Sequence, residues 1–255
     1  MSGFRAYCEN LKNVAPEDVL CLSADESRHL CGALRARVGD AVDAFDLSGL
    51  VANSEICEAN SRAAKLKVRS VSTAKSRASR VILAQALPKG KTFDDIISLC
   101  VQIGISAIYP IVSEHCVVRL EARDSKRKLE KWRQQLIEAV KQSANMSAPE
   151  IMEPMSLSEF LSRSESFEGI AKFVASLDAK NPDSLLRALC CGAKDASGAC
   201  VLIGCEGDFS KREYEAAYAK NFTPVTLGDN VLKCDVAAAY SMSLCSAFFA
   251  DKSGF

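Results

Sequence analysis

Two textures of apolar and polar positions divide the chain. Over residues 1 to about 70, short runs alternate with period two, as in Ala41-Val42-Asp43-Ala44-Phe45-Asp46 and Ala64-Lys65-Leu66-Lys67-Val68. Turn residues, Val38-Gly39-Asp40 and Ser48-Gly49, separate the runs. Alternation punctuated at such close intervals predicts a small antiparallel β-barrel or sandwich. One helical interruption is expected over 27–37, where His29, Leu30, Ala33 and Leu34 recur at helical spacing.

From Arg80 the pattern changes to continuous apolar runs. Val81-Ile82-Leu83-Ala84 reads as a strand, 94–103 as a helix with Ile96, Ile97, Cys100 and Val101 on one face, and 107–112 as a second strand. Gly104 is placed to stop that helix. Strand, helix, strand is a βαβ unit, which implies a parallel sheet buried on both faces. An amphipathic helix follows over 125–144, with Leu129, Trp132, Leu136, Ile137 and Val140 along one stripe. Further strands are expected over 172–177, 199–203 and 224–227. Ser210-Lys211-Arg212-Glu213 is a capping-box pattern opening a helix that ends near Asn221. A small-residue helix over 235–250 closes the chain. The predicted class is therefore α/β, preceded by a small β domain.

Composition adds exclusions. With 48% apolar and 25% charged residues, the 255-residue chain is neither disordered nor fibrous. Its 32 basic and 32 acidic side chains cancel, so a nucleic-acid partner must be met by local patches rather than a global field. Residues 62–80 hold seven basic side chains and no acidic one, and mark the expected hinge between the two textures. Residues 119–141 hold eight basic against four acidic. Each run reads either as a solvated face or as a phosphate-contacting patch. The uncharged stretch 236–250 is too short and too polar to span a membrane, and no secretory leader is visible, so a cytoplasmic protein is expected. The twelve cysteines include no C-x-x-C pair, and with only two histidines no metal site is suggested. They are expected to be reduced packing residues.

No G-x-G-x-x-G and no phosphate-binding Gly-Lys-Ser/Thr loop is present, and neither His29 nor His115 has a nucleophile elbow to serve. Three glycine-bearing loops at strand ends remain: 87–91, 203–210 and 227–235. In open α/β sheets, ligands bind at such carboxyl ends.

In order and spacing these loops resemble those of the RsmE family, the S-adenosylmethionine-dependent uridine-N3 methyltransferases of small-subunit ribosomal RNA within the SPOUT superfamily. The segments that carry the resemblance are HLCGALRARVGD (29–40), QALPKGKTFDDIISLCVQIGISAIYPIVSEHCVV (85–118), KWRQQLIEAVKQS (131–143), PEI (149–151), LIGCEGDFS (202–210) and LGDNVLKCDVAAA (227–239). The resemblance implies a PUA-like β-barrel over 1–74 that helps hold RNA. It further implies a SPOUT methyltransferase domain over 75–255 whose C-terminal chain threads a trefoil knot, and a homodimer acting on small-subunit ribosomal RNA or the 30S particle.

By position, the cofactor S-adenosyl-L-methionine would lie against Leu202, Gly204, Glu206 and Gly207, with Leu227, Gly228, Val231 and Leu232 closing over it and Leu177 completing the wall. His29, Arg35, Lys89 and Lys91 are RNA-contact candidates, although His29 reads equally as a structural histidine. Lys233 is a candidate for RNA phosphates as well. Methyl transfer to a uracil nitrogen requires in-line alignment, removal of the N3 proton and stabilisation of the uracil anion. Asp235 is the candidate base and Lys233 the candidate anion stabiliser. The chain departs from the family pattern at Cys205, Asp208, Asn230, Lys233, Cys234 and Asn145, and three of these replace arginines whose bidentate contacts lysine or asparagine does not reproduce. A non-catalytic RNA-binding or assembly factor of the same fold, or a methyltransferase acting on another RNA, is the alternative reading.

Overall fold

The alternating runs of the first region pair as β-strands in the computed structural model, which describes residues 3–74, 79–117 and 122–252. Two compact units are present: Met1–Ser76 with Ile137–Ala148, and Arg77–Leu136 with Pro149–Phe255. The first unit thus includes a stretch that chain order had placed in the second region.

In the first unit, β1 (Phe4–Tyr7), β2 (Val19–Cys21), β3 (Ala41–Phe45), β4 (Leu50–Glu58) and β5 (Lys65–Thr73) form a sheet in the order β1-β3-β4-β5-β2. Period-two spacing sends Val42, Ala44, Ala52, Ile56, Leu66 and Val68 into one core with Ala6, Leu11, Leu22 and Leu30. Asp46 builds the β3–β4 turn by accepting the N–H groups of Ser48 and Leu50, and it also takes that of Leu11. Two departures from expectation follow. β1 runs parallel to β3, whereas alternation predicted antiparallel pairing throughout. The sheet also ends at β1 and β2, so among the described residues it is open rather than a closed barrel.

The expected helix over 27–37 starts and stops earlier. Ser23 caps it by accepting the Glu26 N–H, α1 (Ala24–Ser27) leads into a wider turn over Arg28–Ala33, and Arg35 at φ +57° ends the run. Apolar spacing did not register the serine cap. The basic stretch 62–80 is no hinge along its length, because β5 lies inside the sheet. Lys65, Lys67 and Arg69 pair with Glu58, Glu17 and Glu55 at 2.7, 2.7 and 2.8 Å, while Lys75 and Arg77 lie outside the described residues. Lys141, counted in the second basic run, is buried in the first unit, 2.8 Å from Glu26 and 2.6 Å from Glu138.

The second unit is the expected α/β layer structure. Its elements are β6 (Arg80–Ala86), α2 (Thr92–Ile103), β7 (Ala107–Val112), α3 (Ala122–Ser143, divided between the units), β8 (Glu150–Ile151), β9 (Met155–Ser156), α4 (Leu157–Arg163), β10 (Ile170–Ala175), α5 (Leu185–Gly192), β11 (Gly198–Ile203), α6 (Lys211–Ala219), β12 (Thr223–Val225) and α7 (Cys234–Lys252). All strand pairs are parallel, in the order β12-β10-β11-β6-β7-β8, with β9 also on β7. Burial of β6 and β11 on both faces explains their unbroken apolar sequence. α7 packs on α2, β6 and β11, and Phe93 of α2 meets Trp132 of α3 with ring centroids 4.6 Å apart. The chain leaves β6 toward β7 and β8, then returns to build β10 and β11 on the other side. In open sheets with such a reversal, ligands bind at the carboxyl ends of the strands.

All twelve cysteines are free thiols. Cys100, Cys116, Cys200, Cys205, Cys234 and Cys245 are buried, as expected of packing residues, but Cys21, Cys57, Cys190 and Cys191 are exposed. No helix among the described residues is long and apolar enough to cross a membrane.

Candidate functional site

A cavity of about 580 Å³ opens at the carboxyl ends of β10 and β11. Its floor is Ala175 and Ile203, one wall is the loop after β11, and the opposite wall is the chain from Thr226 to the start of α7. Its volume lies in the range of small-molecule sites, roughly 300–1,000 Å³.

The structure gathers most of the sequence-derived cofactor candidates here. Leu177, Gly204, Glu206, Leu227, Gly228, Val231 and Leu232 line the cavity, and so do Lys233 and Asp235. Leu202 does not; it is fully buried within β11. Gly207 turns away, and a Cβ there would lie 2.9 Å from the Cβ of His115. Lys89 and Lys91 flank Gly90 in the β6–α2 connection, whose Lys89 N–H donates to the Glu206 carboxylate at 3.0 and 3.3 Å. This bond ties two of the three glycine loops together at the rim. His29 and Arg35 belong to the first unit, the former half-buried and the latter exposed.

Several residues that shape the loop were not singled out from sequence. Gln85 is fully buried at the end of β6, and its amide nitrogen donates to the carbonyls of Ala86 and Gly204 at 2.9 and 3.0 Å. A lone glutamine in the run Val-Ile-Leu-Ala-Gln-Ala was the available signal, since a buried amide needs partners. Ser176 and Thr226 line the cavity, and Tyr214 of α6 donates its phenol to Asp208. Burial, then Asp208, push the Tyr214 phenol well above its usual range. The capping box is complete: Ser210 Oγ accepts the Glu213 N–H, and Glu213 accepts the Ser210 N–H. Glu213 also accepts the Glu114 N–H at 2.8 Å, which anchors the far end of the loop.

Behind the cavity, Ser113 Oγ lies 3.1 Å from Cys116 Sγ and 4.0 Å from Cys205 Sγ. The Cys205 thiol and Ser113 together hold the Cys116 thiol below its ordinary value, and the same contact raises that of Cys205.

His115 Nδ1 lies 2.8 Å from the Gly207 carbonyl and 3.1 Å from that of Asp208, and these carbonyls raise its pKa above the usual imidazole value. A folded-state pKa raised above the unfolded one means that the charged imidazole's hold on the loop is complete below about pH 6.5 and declines as pH rises through the raised value. Amide exchange across 204–208, corrected for its intrinsic pH dependence, should therefore speed up as pH rises above the ordinary imidazole value of 6.5 in the native protein and stay flat in His115→Phe. Identical profiles would remove His115 from this role.

Comparison with known proteins gives the family and the fold. The family model described as an RNA methyltransferase domain matches residues 75–246. The ribosomal RNA small subunit methyltransferase E of Synechocystis is 27% identical over 238 residues, covering 92% of this chain and 76% of that protein. The protein of the same name from Bacillus subtilis is 23% identical over 226 residues, covering 88% of each chain. Among solved structures, a ribosomal RNA small subunit methyltransferase E from Neisseria gonorrhoeae bound to S-adenosyl methionine superposes with a TM-score of 0.83 at 21% identity, covering 97% of this chain and 98% of that one. With the matched segment spanning both the sheet and all three glycine loops, the chain belongs to the RNA methyltransferase domain family.

Proposed function

We propose that the protein transfers a methyl group from S-adenosyl-L-methionine to N3 of a uridine in 16S ribosomal RNA, within the small subunit. The observation that carries this reading is a cavity in which the loops after β10, β11 and β12 converge. Its residues fit the cofactor. Gly204 lets the loop turn back so that Asp208 closes against it, since a Cβ there would stand 2.6 Å from Asp208 Oδ1. Gly228, at φ +130°, lets the opposite loop close in a conformation that side chains resist. Leu177, Leu227, Val231 and Leu232 offer the apolar slot that adenine requires, and the backbone around Gly204 and Glu206 offers hydrogen-bonding groups. Leu202 and Gly207 then act through the strand and loop backbone rather than as wall.

When bound, the cofactor supplies an electrophilic methyl group. The chain's own residues position the uracil, exclude water and handle one proton. Asp235, in the first turn of α7, accepts the N3 proton, and Lys233 lies on the same wall to stabilise the uracil anion. Lys89 and Lys91 put positive charge beside the rim, where RNA phosphates would pass, and His29 and Arg35 are RNA-contact candidates of the first unit. In the same reading the first unit is a PUA-like RNA-holding domain, the chain from Leu227 into α7 is a trefoil knot, and the protein works in the cytoplasm. A homodimer would cover Val236 and Tyr240, which stand exposed one turn apart on α7.

Asp235→Ala is expected to slow methyl transfer about 100-fold while cofactor affinity stays within about threefold. Near-normal turnover in that variant would remove Asp235 as the base. The reading as a whole is tested by labelled methyl transfer to small subunits from a strain lacking the gene, followed by nucleoside analysis. Appearance of 3-methyluridine at one position is the expected result. Label on another base or another RNA would redirect the substrate assignment, and cofactor-free, inactive protein that still bound ribosomal RNA would favour an assembly factor.

A further inference from the structure

Asp208 carries a charge that nothing described so far uses. It adopts φ +55°, a left-handed backbone that aspartate and asparagine tolerate better than most residues. This conformation brings its carboxylate back toward Gly204 on the cavity wall. Both carboxylate oxygens accept the Tyr214 phenol, at 2.8 and 2.7 Å, so the group is held in one place. A phenol is a neutral donor, and it leaves the negative charge in full. Among the described residues, no lysine or arginine forms an ion pair with Asp208. Glu206, which accepts the Lys89 N–H, and Asp235 also form no ion pair among the described residues, and Asp208 is set apart by the phenol that holds both of its oxygens. The floor beneath Asp208 is formed by buried strand ends, Ile203 among them, which screen charge poorly compared with water.

A fixed anion with no ion-pair partner in a cavity wall favours a cationic occupant. In the proposed reaction the donor enters as a sulfonium cation and leaves as a neutral thioether, so the two ligands differ by one methyl group and one unit of charge. The rest of the cofactor, its amino and carboxylate groups included, is the same before and after transfer. We infer that Asp208 is a specificity residue that makes the cavity prefer the sulfonium donor to its demethylated thioether product, through the charge that the reaction removes. The inference rests on the cofactor reading given above. Its consequence is a site that loses affinity for its own product at the moment of transfer, which speeds release and blunts product inhibition.

The test is equilibrium binding, with no turnover required. Affinities for S-adenosylmethionine, S-adenosylhomocysteine and sinefungin, whose ammonium group replaces the sulfonium charge, are measured calorimetrically for the native protein and Asp208→Asn. Asparagine keeps an acceptor for Tyr214 and tolerates the same backbone, so the substitution removes charge and little else. Asp208→Asn should weaken both cationic ligands about tenfold and leave the thioether within about twofold. Equal weakening of all three ligands would overturn the inference, because it would place Asp208 on the common amino group or in a purely structural role. Unchanged affinities for all three would overturn it as well. Should Asp208→Asn not fold, Asp208→Gly, free at positive φ, gives the same ratio of affinities. Failure of the native protein to bind any of the three would overturn the cofactor reading itself, an outcome separate from a changed or unchanged ratio.

Discussion

Lys141→Ala is expected to destabilise the first unit by about 3–5 kcal/mol, because it strands a buried carboxylate. The Lys141 and Glu26 side chains are 7% and 11% exposed, and their ion pair measures 2.8 Å. Glu26 also accepts the Tyr7 N–H at 3.0 Å, and the Arg5 guanidinium donates to the Lys141 carbonyl at 2.7 Å, so the cluster ties β1 to residues far along the chain. Hydrogen exchange across β3–β5 under denaturant reads the effect. A loss below about 1 kcal/mol, the range of exposed pairs, would contradict it. The double variant Glu26→Gln, Lys141→Met should recover much of the loss, since it removes the unpaired charge along with its partner. Burial by itself lowers the Lys141 pKa, but hydrogen bonds to Glu138 and Glu26 outweigh it and the net shift is upward. The stabilisation is therefore complete below the ordinary lysine value of 10.5 and fades only as pH rises through the raised one.

Gly198→Ala should be nearly as damaging, at about 3 kcal/mol, the upper end for overpacking. A Cβ at Gly198 would lie 2.0 Å from the Arg80 carbonyl oxygen, 2.7 Å from its carbon and 2.9 Å from its nitrogen. These are backbone atoms of Arg80, the first residue of β6, and from Ile82 onward that strand is held from its other side by β7, so relief of the clash must strain the start of both strands. The strand that would shift ends at Ile203 and Gly204 on the cavity, and cofactor affinity should fall together with the melting temperature. Gly192→Ala is the control: at the end of α5 nothing lies within 4 Å of the new methyl group, and alanine suits a helix better than glycine. Equal melting temperatures for the two variants would refute the argument.

The parts of this fold that were legible in the sequence are those with a period. Unbroken apolar runs marked β6, β7 and β11 because strands buried on both faces have no polar side, and β7 coincides with its expected limits of 107–112. Alternation likewise marked the one-faced strands β3 and β5. The parallel pairing of β1 with β3 has no such signature, since the direction of an edge strand is decided by the connection and not by its side chains. β8 and β9, at two residues each, and the helices α4 and α5 are too short for periodicity to register, although Ser156 and Ser184 cap the two helices and were readable as start signals. For the site, glycine spacing and family resemblance located the loops. They did not separate wall from scaffold: Leu202 and Gly207 stand behind the surface that Ser176, Thr226 and Asp208 form. Lys141 was misread for a related reason. A count of charges carries no information on burial, and the partner Glu26 lies 115 residues away.

That separation has a consequence for synthesis. The first unit is completed by Ile137–Ala148, so more than half of the 255-residue chain must be synthesised before its last piece exists. At the usual pace of translation, Glu26 waits roughly ten seconds for Lys141 to be made. Meanwhile β6, α2 and β7 emerge and can begin to pair with each other. The common order, in which an N-terminal domain folds while the next is still being translated, is closed to this protein. Its nascent chain must carry a complete set of sheet strands that still lack the segment packed with them through the early synthesis of the second unit.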